Sequence, residues 1–138
     1  MIYVTRKEHF NAAHRVYNPN WSEEKNLEVF GKCAHQHWHG HNFELHVTVK
    51  GTVNPDTGFV IDLKKLKDII RDSVIEKLDH RNLNLDVDFL QGKMASTENL
   101  AIGIWDELFP LLKSPNHQLH SIRLYETDNN YVDYYGGN

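Results

Sequence analysis

The sequence predicts an α+β fold in which two amphipathic helices lie on one face of a four-stranded antiparallel sheet, in the order ββααββ. Three observations carry this expectation. Two long segments near the start of the chain alternate polar and apolar residues with period two. Two mid-chain segments carry apolar residues at helical spacing, and the chain closes with two alternating segments around a turn signal. No repeat and no linker divides the 138 residues, so 1–138 should form a single domain around one core.

The first strand is "IYVTRKEHFNAAHR", where Phe10, Ala12 and His14 share a face. "VYNPNWSEEKNLEVFGKC" mixes turn formers with charges and reads as an excursion, within which "SEEKNLEVF" suits a short helix. "HNFELHVTVKG" is the second strand, with Phe43, Leu45, Val47 and Val49 on one face. "NPDTG" is a turn, after which Asp62 caps the helix "LKKLKDIIRDSVIEKL", whose stripe is Leu63, Leu66, Ile70, Val74 and Leu78. A loop then leads to Ser96 or Thr97, either of which can cap "ENLAIGIWDELFPLL", with Leu100, Ile104, Leu108 and Leu111 at helical spacing. "HSIRLYET" and "YVDYYG" form a hairpin around "DNN", because Asp and Asn tolerate tight local geometry. Four strands leave open edges that are not loaded with proline or lysine, so edge-to-edge assembly is expected.

Hydrophobic residues at 40% and charged residues at 25% are ordinary for a soluble globular chain. A net charge of -4 without a block of Lys and Arg gives little electrostatic reason to bind nucleic acid or an anionic membrane. No apolar run approaches the roughly 20 residues that cross a bilayer, and "MIYVTRKEHF" lacks the apolar core of a signal peptide, so a cytoplasmic location is expected. One cysteine cannot form an internal disulfide; Cys33 is a small buried filler, a metal ligand or a reactive thiol.

The segment "CAHQHWHGH" concentrates the chemistry. His35, His37, His39 and His41 share one parity, but only His39 and His41 continue the apolar face of the second strand, flanking Gly40, where the absent side chain leaves room. His14 has the inward parity of the first strand. Pairing of the two strands brings three imidazoles together at one end of the sheet's inner face, and three histidines with an open fourth position describe a catalytic zinc site. A lone inward histidine is more often a hydrogen-bonded core residue; it is the convergence of three that points to metal. His35 and His37 belong to the preceding loop as solvated residues, and His9, His46, His117 and His120 show no convergence. Cys33 has two open roles, a fourth ligand that closes the site or a general base beside it, since a nearby cation eases loss of the thiol proton.

Asp79 and His80 end the first long helix, where a protonated imidazole suits the helix dipole and Asp starts a turn. The functional reading is a carboxylate that fixes an imidazole's tautomer and strengthens it as a proton carrier. Glu126 shares a strand face with Ile122 and Leu124, and a carboxylate there needs a partner. That partner is either an Arg or Lys, or a ligand offering two adjacent nitrogen donors, as the edge of a pterin does.

Taken together, "FNAAHR", "FGKCAHQHWHGHNF", "NPDTGFVIDL", "LDHRNLN", "STENLAIGIWDEL" and "YETDNN" resemble the 6-pyruvoyl tetrahydropterin synthase family, in this order over nearly the whole chain. The resemblance implies a tunnelling fold assembled into trimers and then a homohexamer, with active sites shared between subunits. It implies His14, His39 and His41 as ligands of a zinc ion (Zn2+), Cys33 as the catalytic thiol, Asp79 and His80 as partners in its proton relay, and Glu126 as the pterin anchor beside Thr97. The implied substrate is 7,8-dihydroneopterin triphosphate, which loses triphosphate while an internal redox shift reduces the ring and oxidises the side chain.

Two departures from the family pattern stand out. His35 and His37 occupy a loop where relatives more often carry Asn, Pro or Gly, positions from which they could bind a second metal or alter Cys33. The related 6-carboxytetrahydropterin synthases of the deazaguanine pathway usually have a shorter interval here and a different sequence after the anchoring Glu; the long interval and "ETDNN" favour the pyruvoyl branch. A folate branch typically has Glu near the Cys33 position. Outside the family, a scaffold with metal closed by Cys33 and a three-histidine zinc hydrolase are the competing expectations.

Overall fold

In the computed structural model, which describes residues 1–137, the elements run β1 (Ile2–His14), α1 (Glu23–Phe30), β2 (His39–Gly51), α2 (63–78), β3 (Arg81–Asn82), α3 (Thr97–Leu108), β4 (His117–Thr127) and β5 (Asn130–Tyr134). The α+β class matches expectation, but the four-stranded ββααββ order does not. The sheet has five strands, ordered β3-β1-β2-β4-β5, and β3 pairs in parallel with Ala12 and Ala13 of β1. Two residues are too few to show any period, so nothing in the hydropathy pattern marks β3. A third helix, α1, lies in the excursion; Ser22 caps it by accepting from Lys25 N, and Gly31 ends it at φ +58.

The other strands are antiparallel. β1 and β2 pair along their full lengths, from Ile2 opposite Gly51 to His14 opposite His39. One sheet face is covered by α2 and α3, which bury Leu66, Ile70, Leu100 and Ile104 against Phe43, Leu45 and Val47. Leu63 and Leu111, expected on the helix stripes, are exposed. Leu111 leaves the stripe because α3 tightens into a 3-10 turn, Phe109–Leu111, where Pro110 cannot donate to the helical ladder; Leu112 is buried instead. Asp62 caps α2 by accepting from Lys64 N at 3.0 Å. Ser96, rather than Thr97, caps α3, accepting from Asn99 N at 3.2 Å and leaving the Thr97 hydroxyl free for another partner.

α2 contains a wide π turn, Arg71–Ile75, and Arg71 from that turn reaches the buried carboxylate of Glu8 on β1. No described helix is long and apolar enough to cross a membrane.

Candidate metal centre and adjoining cleft

The β1–β2 register sets the site. His14 lies directly opposite His39, and Ala12 opposite His41, so all three imidazoles project from the inner face at the end of the paired strands. Their nearest nitrogens lie within 4.8 Å of one another, a spacing that one metal ion can bridge. Gly40 points to the other face, where a Cβ would meet Ala12 O at an ordinary 3.7 Å. It therefore makes no room for the imidazoles.

His14 is 1% exposed, and its Nδ1–H donates to the Ala95 carbonyl at 2.7 Å, which fixes the tautomer and leaves Nε2 to accept. Nε2 of His14, both ring nitrogens of His39 and Nε2 of His41 are buried without a hydrogen-bond partner. Unpaired buried polar atoms are costly, and four in one cluster fit a bound cation. Burial pushes the pKa of all three imidazoles down, which keeps them neutral and able to coordinate. The three histidines fit a metal.

Glu126 adjoins the cluster, its Oε1 lying 3.6 Å from His41 Nε2. Its other oxygen accepts a hydrogen bond from the Thr97 hydroxyl. No Arg or Lys pairs with it among the described residues. A cleft of about 220 Å³ opens beside this carboxylate, lined by Thr97, Glu98, Glu126, Asn130, Tyr131 and Val132.

Cys33 is half-buried and free, in the short turn Gly31–Ala34. That turn is pinned to the chain just beyond His14, because Val16 N donates to Cys33 O at 2.7 Å and Arg15 Nε to Ala34 O at 2.9 Å. The metal-competent cluster comprises the three imidazoles without Cys33. His35 and His37 are exposed, their rings 5.4 Å apart, and do not join it either. His46 instead pairs with Glu44 at 2.7 Å on the outer face.

Asp79 and His80 are brought together, but not onto the cluster. His80 Nδ1 lies 3.0 Å from Asp79 Oδ2, Asp79 Oδ1 accepts from Asn11 N at 2.8 Å, and His80 N donates to Asn11 O at 2.6 Å. The Asn11 hydrogen bond leads in holding the Asp79 carboxyl below its ordinary pKa. His80 adopts φ +60, and its ring is 80% exposed beside a groove of about 440 Å³ that Asn11, Gly40 and Arg81 also line. Gly40 belongs to the outer sheet face, so this groove opens away from the imidazoles.

Sequence reasoning missed one group at the site and one buried carboxylate farther along β1. The Ala95 carbonyl lies 81 residues from His14, and no side-chain pattern announces a backbone acceptor. Glu8 was legible in principle, because it has the inward parity of Phe10.

Comparison with known proteins gives the family and agrees with the fold. The family profile described as 6-pyruvoyl tetrahydropterin synthase matches residues 3–137. The chain is 44% identical over 135 residues to the 6-pyruvoyl tetrahydrobiopterin synthase of Dictyostelium discoideum, covering 98% of this chain and 96% of that one. It is 43% identical over 133 residues to the Homo sapiens protein of the same name, covering 96% and 90%. The solved 6-pyruvoyl tetrahydropterin synthase of Caenorhabditis elegans superposes with a TM-score of 0.91 at 36% identity, over 99% of this chain and 96% of that one. The chain thus belongs to the 6-pyruvoyl tetrahydropterin synthase family and is a lyase.

Proposed function

We propose that the protein is a zinc-dependent 6-pyruvoyl tetrahydropterin synthase, converting 7,8-dihydroneopterin triphosphate to 6-pyruvoyl tetrahydropterin with loss of triphosphate, in tetrahydrobiopterin synthesis in the cytoplasm. The observation that carries this proposal is a cluster of three neutral imidazoles with unpaired buried nitrogens, set beside a carboxylate that no Arg or Lys neutralises.

His14, His39 and His41 would hold the ion, which would supply Lewis-acid chemistry at the substrate's side chain. Glu126 accepts two N–H groups from the pterin edge in a charge-assisted pair, and the Thr97 hydroxyl orients that carboxylate. Cys33, on its pinned turn beside β1, removes and returns carbon-bound protons as its thiolate. Asp79 sets the tautomer of His80, which carries protons in the relay. Electrons balance internally: oxidation of the side-chain carbinol carbon next to the ring to a carbonyl gives up the two electrons that reduce the ring, and triphosphate departs by elimination, which is redox-neutral, so no external reductant enters.

The protomer is a single domain of a homohexamer, and the exposed Asp79–His80 pair completes a site shared with another copy. Two features support this. Over most of its length β1 carries no partner on the side away from β2, since β3 covers only Ala12 and Ala13, and β5 forms the other edge. His80 faces a groove rather than the cluster of its own chain.

The test is incubation of the zinc-loaded protein with 7,8-dihydroneopterin triphosphate, with and without Cys33→Ala, and identification of the products by mass spectrometry. A Cys33-dependent 6-pyruvoyl product is expected. A 6-carboxy product with acetaldehyde would move the protein to the deazaguanine branch, and absence of turnover despite bound zinc would favour a scaffold.

A further inference from the structure

The start of α3 does more than begin a helix, because two consecutive features of it face the site. The Ala95 carbonyl accepts the Nδ1–H of His14, and two residues later the Thr97 hydroxyl donates to Glu126. Ala95 itself is buried at 1% exposure and has no polar side chain with which to fix its own peptide. Asn99 brackets it. The side-chain amide of Asn99 donates to the Met94 carbonyl at 2.9 Å, one residue before Ala95, and its backbone N–H donates to Ser96 Oγ at 3.2 Å, one residue after. With both neighbours held, the Ala95 carbonyl is kept directed at His14.

We propose that Asn99 is a positioning residue for the metal centre: it fixes the Met94–Ser96 turn so that Ala95 holds His14 as the Nδ1–H tautomer with Nε2 presented to the ion. This rests on the three-imidazole metal centre proposed above. Physically, a ligand imidazole whose second nitrogen is not held rotates and exchanges tautomers, and such outer partners are worth roughly 10–100-fold in metal affinity. Asn99 does not itself line the cleft, and its hydrogen bonds go to Met94 and Ser96, on either side of Ala95, so its route to the metal centre runs through the Ala95 carbonyl.

The test uses Asn99→Asp, which keeps size but turns the amide donor into an oxygen facing the Met94 carbonyl, and Asn99→Ala. Asp62→Ala, which removes the cap of α2, serves as the comparison for a destabilised but folded chain. Zinc affinity is measured by competition with a chromophoric chelator, and the His14 tautomer by nitrogen-15 NMR of the metal-free protein. Expected are a zinc Kd roughly 10-fold or more weaker in both Asn99 variants, a mixed His14 tautomer, and an unchanged Kd in Asp62→Ala. Wild-type zinc affinity with the single His14 tautomer retained in either folded Asn99 variant would overturn the proposal. Failure of the wild-type chain to bind one zinc ion would overturn the metal centre, and the role of Asn99 with it.

Discussion

Glu8 on β1 and Glu126 on β4 both project from the helix-covered face of the sheet, where a carboxylate is costly to bury unless something holds it. Glu8, with a side chain 7% exposed, is held twice by Arg71, through Nε at 2.9 and 3.1 Å, and once by Arg6 at 2.9 Å. Burial pushes its pKa up, but the two guanidiniums outweigh that and leave it lowered. Glu126, 27% exposed, has a hydroxyl and an imidazole for neighbours and a cleft in front of it. The same residue type on the same face is thus finished within the chain at one place and left for a ligand at another. That contrast identifies the functional end of the sheet more directly than either residue alone.

Five predictions sharpen or break it. The largest effect is expected at the imidazoles: His39→Ala should weaken zinc binding by more than about 100-fold, beyond the effect of losing an outer partner, and abolish turnover, as read by metal content and product assay. Next, Glu126→Gln should lower kcat/KM by roughly 30–150-fold, equivalent to about 2–3 kcal/mol for a lost charge-assisted pair, while the thermal unfolding midpoint stays near wild type. Glu8→Gln should do the reverse, costing about 2 kcal/mol of stability in urea unfolding, with activity within about twofold of wild type. The figure is modest because Arg71 is 52% exposed and screened by solvent.

The smallest effects are pH dependences of opposite origin. Because the Glu8 pKa is lowered on folding, its contribution is complete above the ordinary value of 4.5 and disappears as pH falls below that, so the stability gap between wild type and Glu8→Gln should close in acid. The imidazole pKa values are lowered by burial, so below the ordinary 6.5 the unfolded chain takes up protons that the folded chain refuses. Metal-free protein should therefore lose stability as pH falls from about 7 to about 5, and His39→Ala should flatten that slope.

Much of this geometry was legible because strand parity is a strong constraint. His14, His39 and His41 share the parity of buried neighbours, and the β1–β2 register needed only antiparallel pairing to bring them together. Glu126 followed from Ile122 and Leu124 in the same way. The parts that were not legible lack a period. β3 has two residues, and the partner of His14 is a backbone carbonyl, whereas α1, mostly polar, was still legible as a short helix in "SEEKNLEVF". The choice between Ser96 and Thr97 as cap could not be made from type alone, since both hydroxyls suit the position. It matters here, because the one that does not cap holds Glu126.

The most direct test of the contrast between the two carboxylates is equilibrium binding of neopterin to the zinc-loaded wild type, Glu126→Gln and Glu8→Gln. Glu8→Gln should bind as wild type does, and Glu126→Gln roughly 30–150-fold more weakly. Equal binding by wild type and Glu126→Gln, or a greater loss in Glu8→Gln, would contradict the assignment of Glu126 as the residue that receives the ligand.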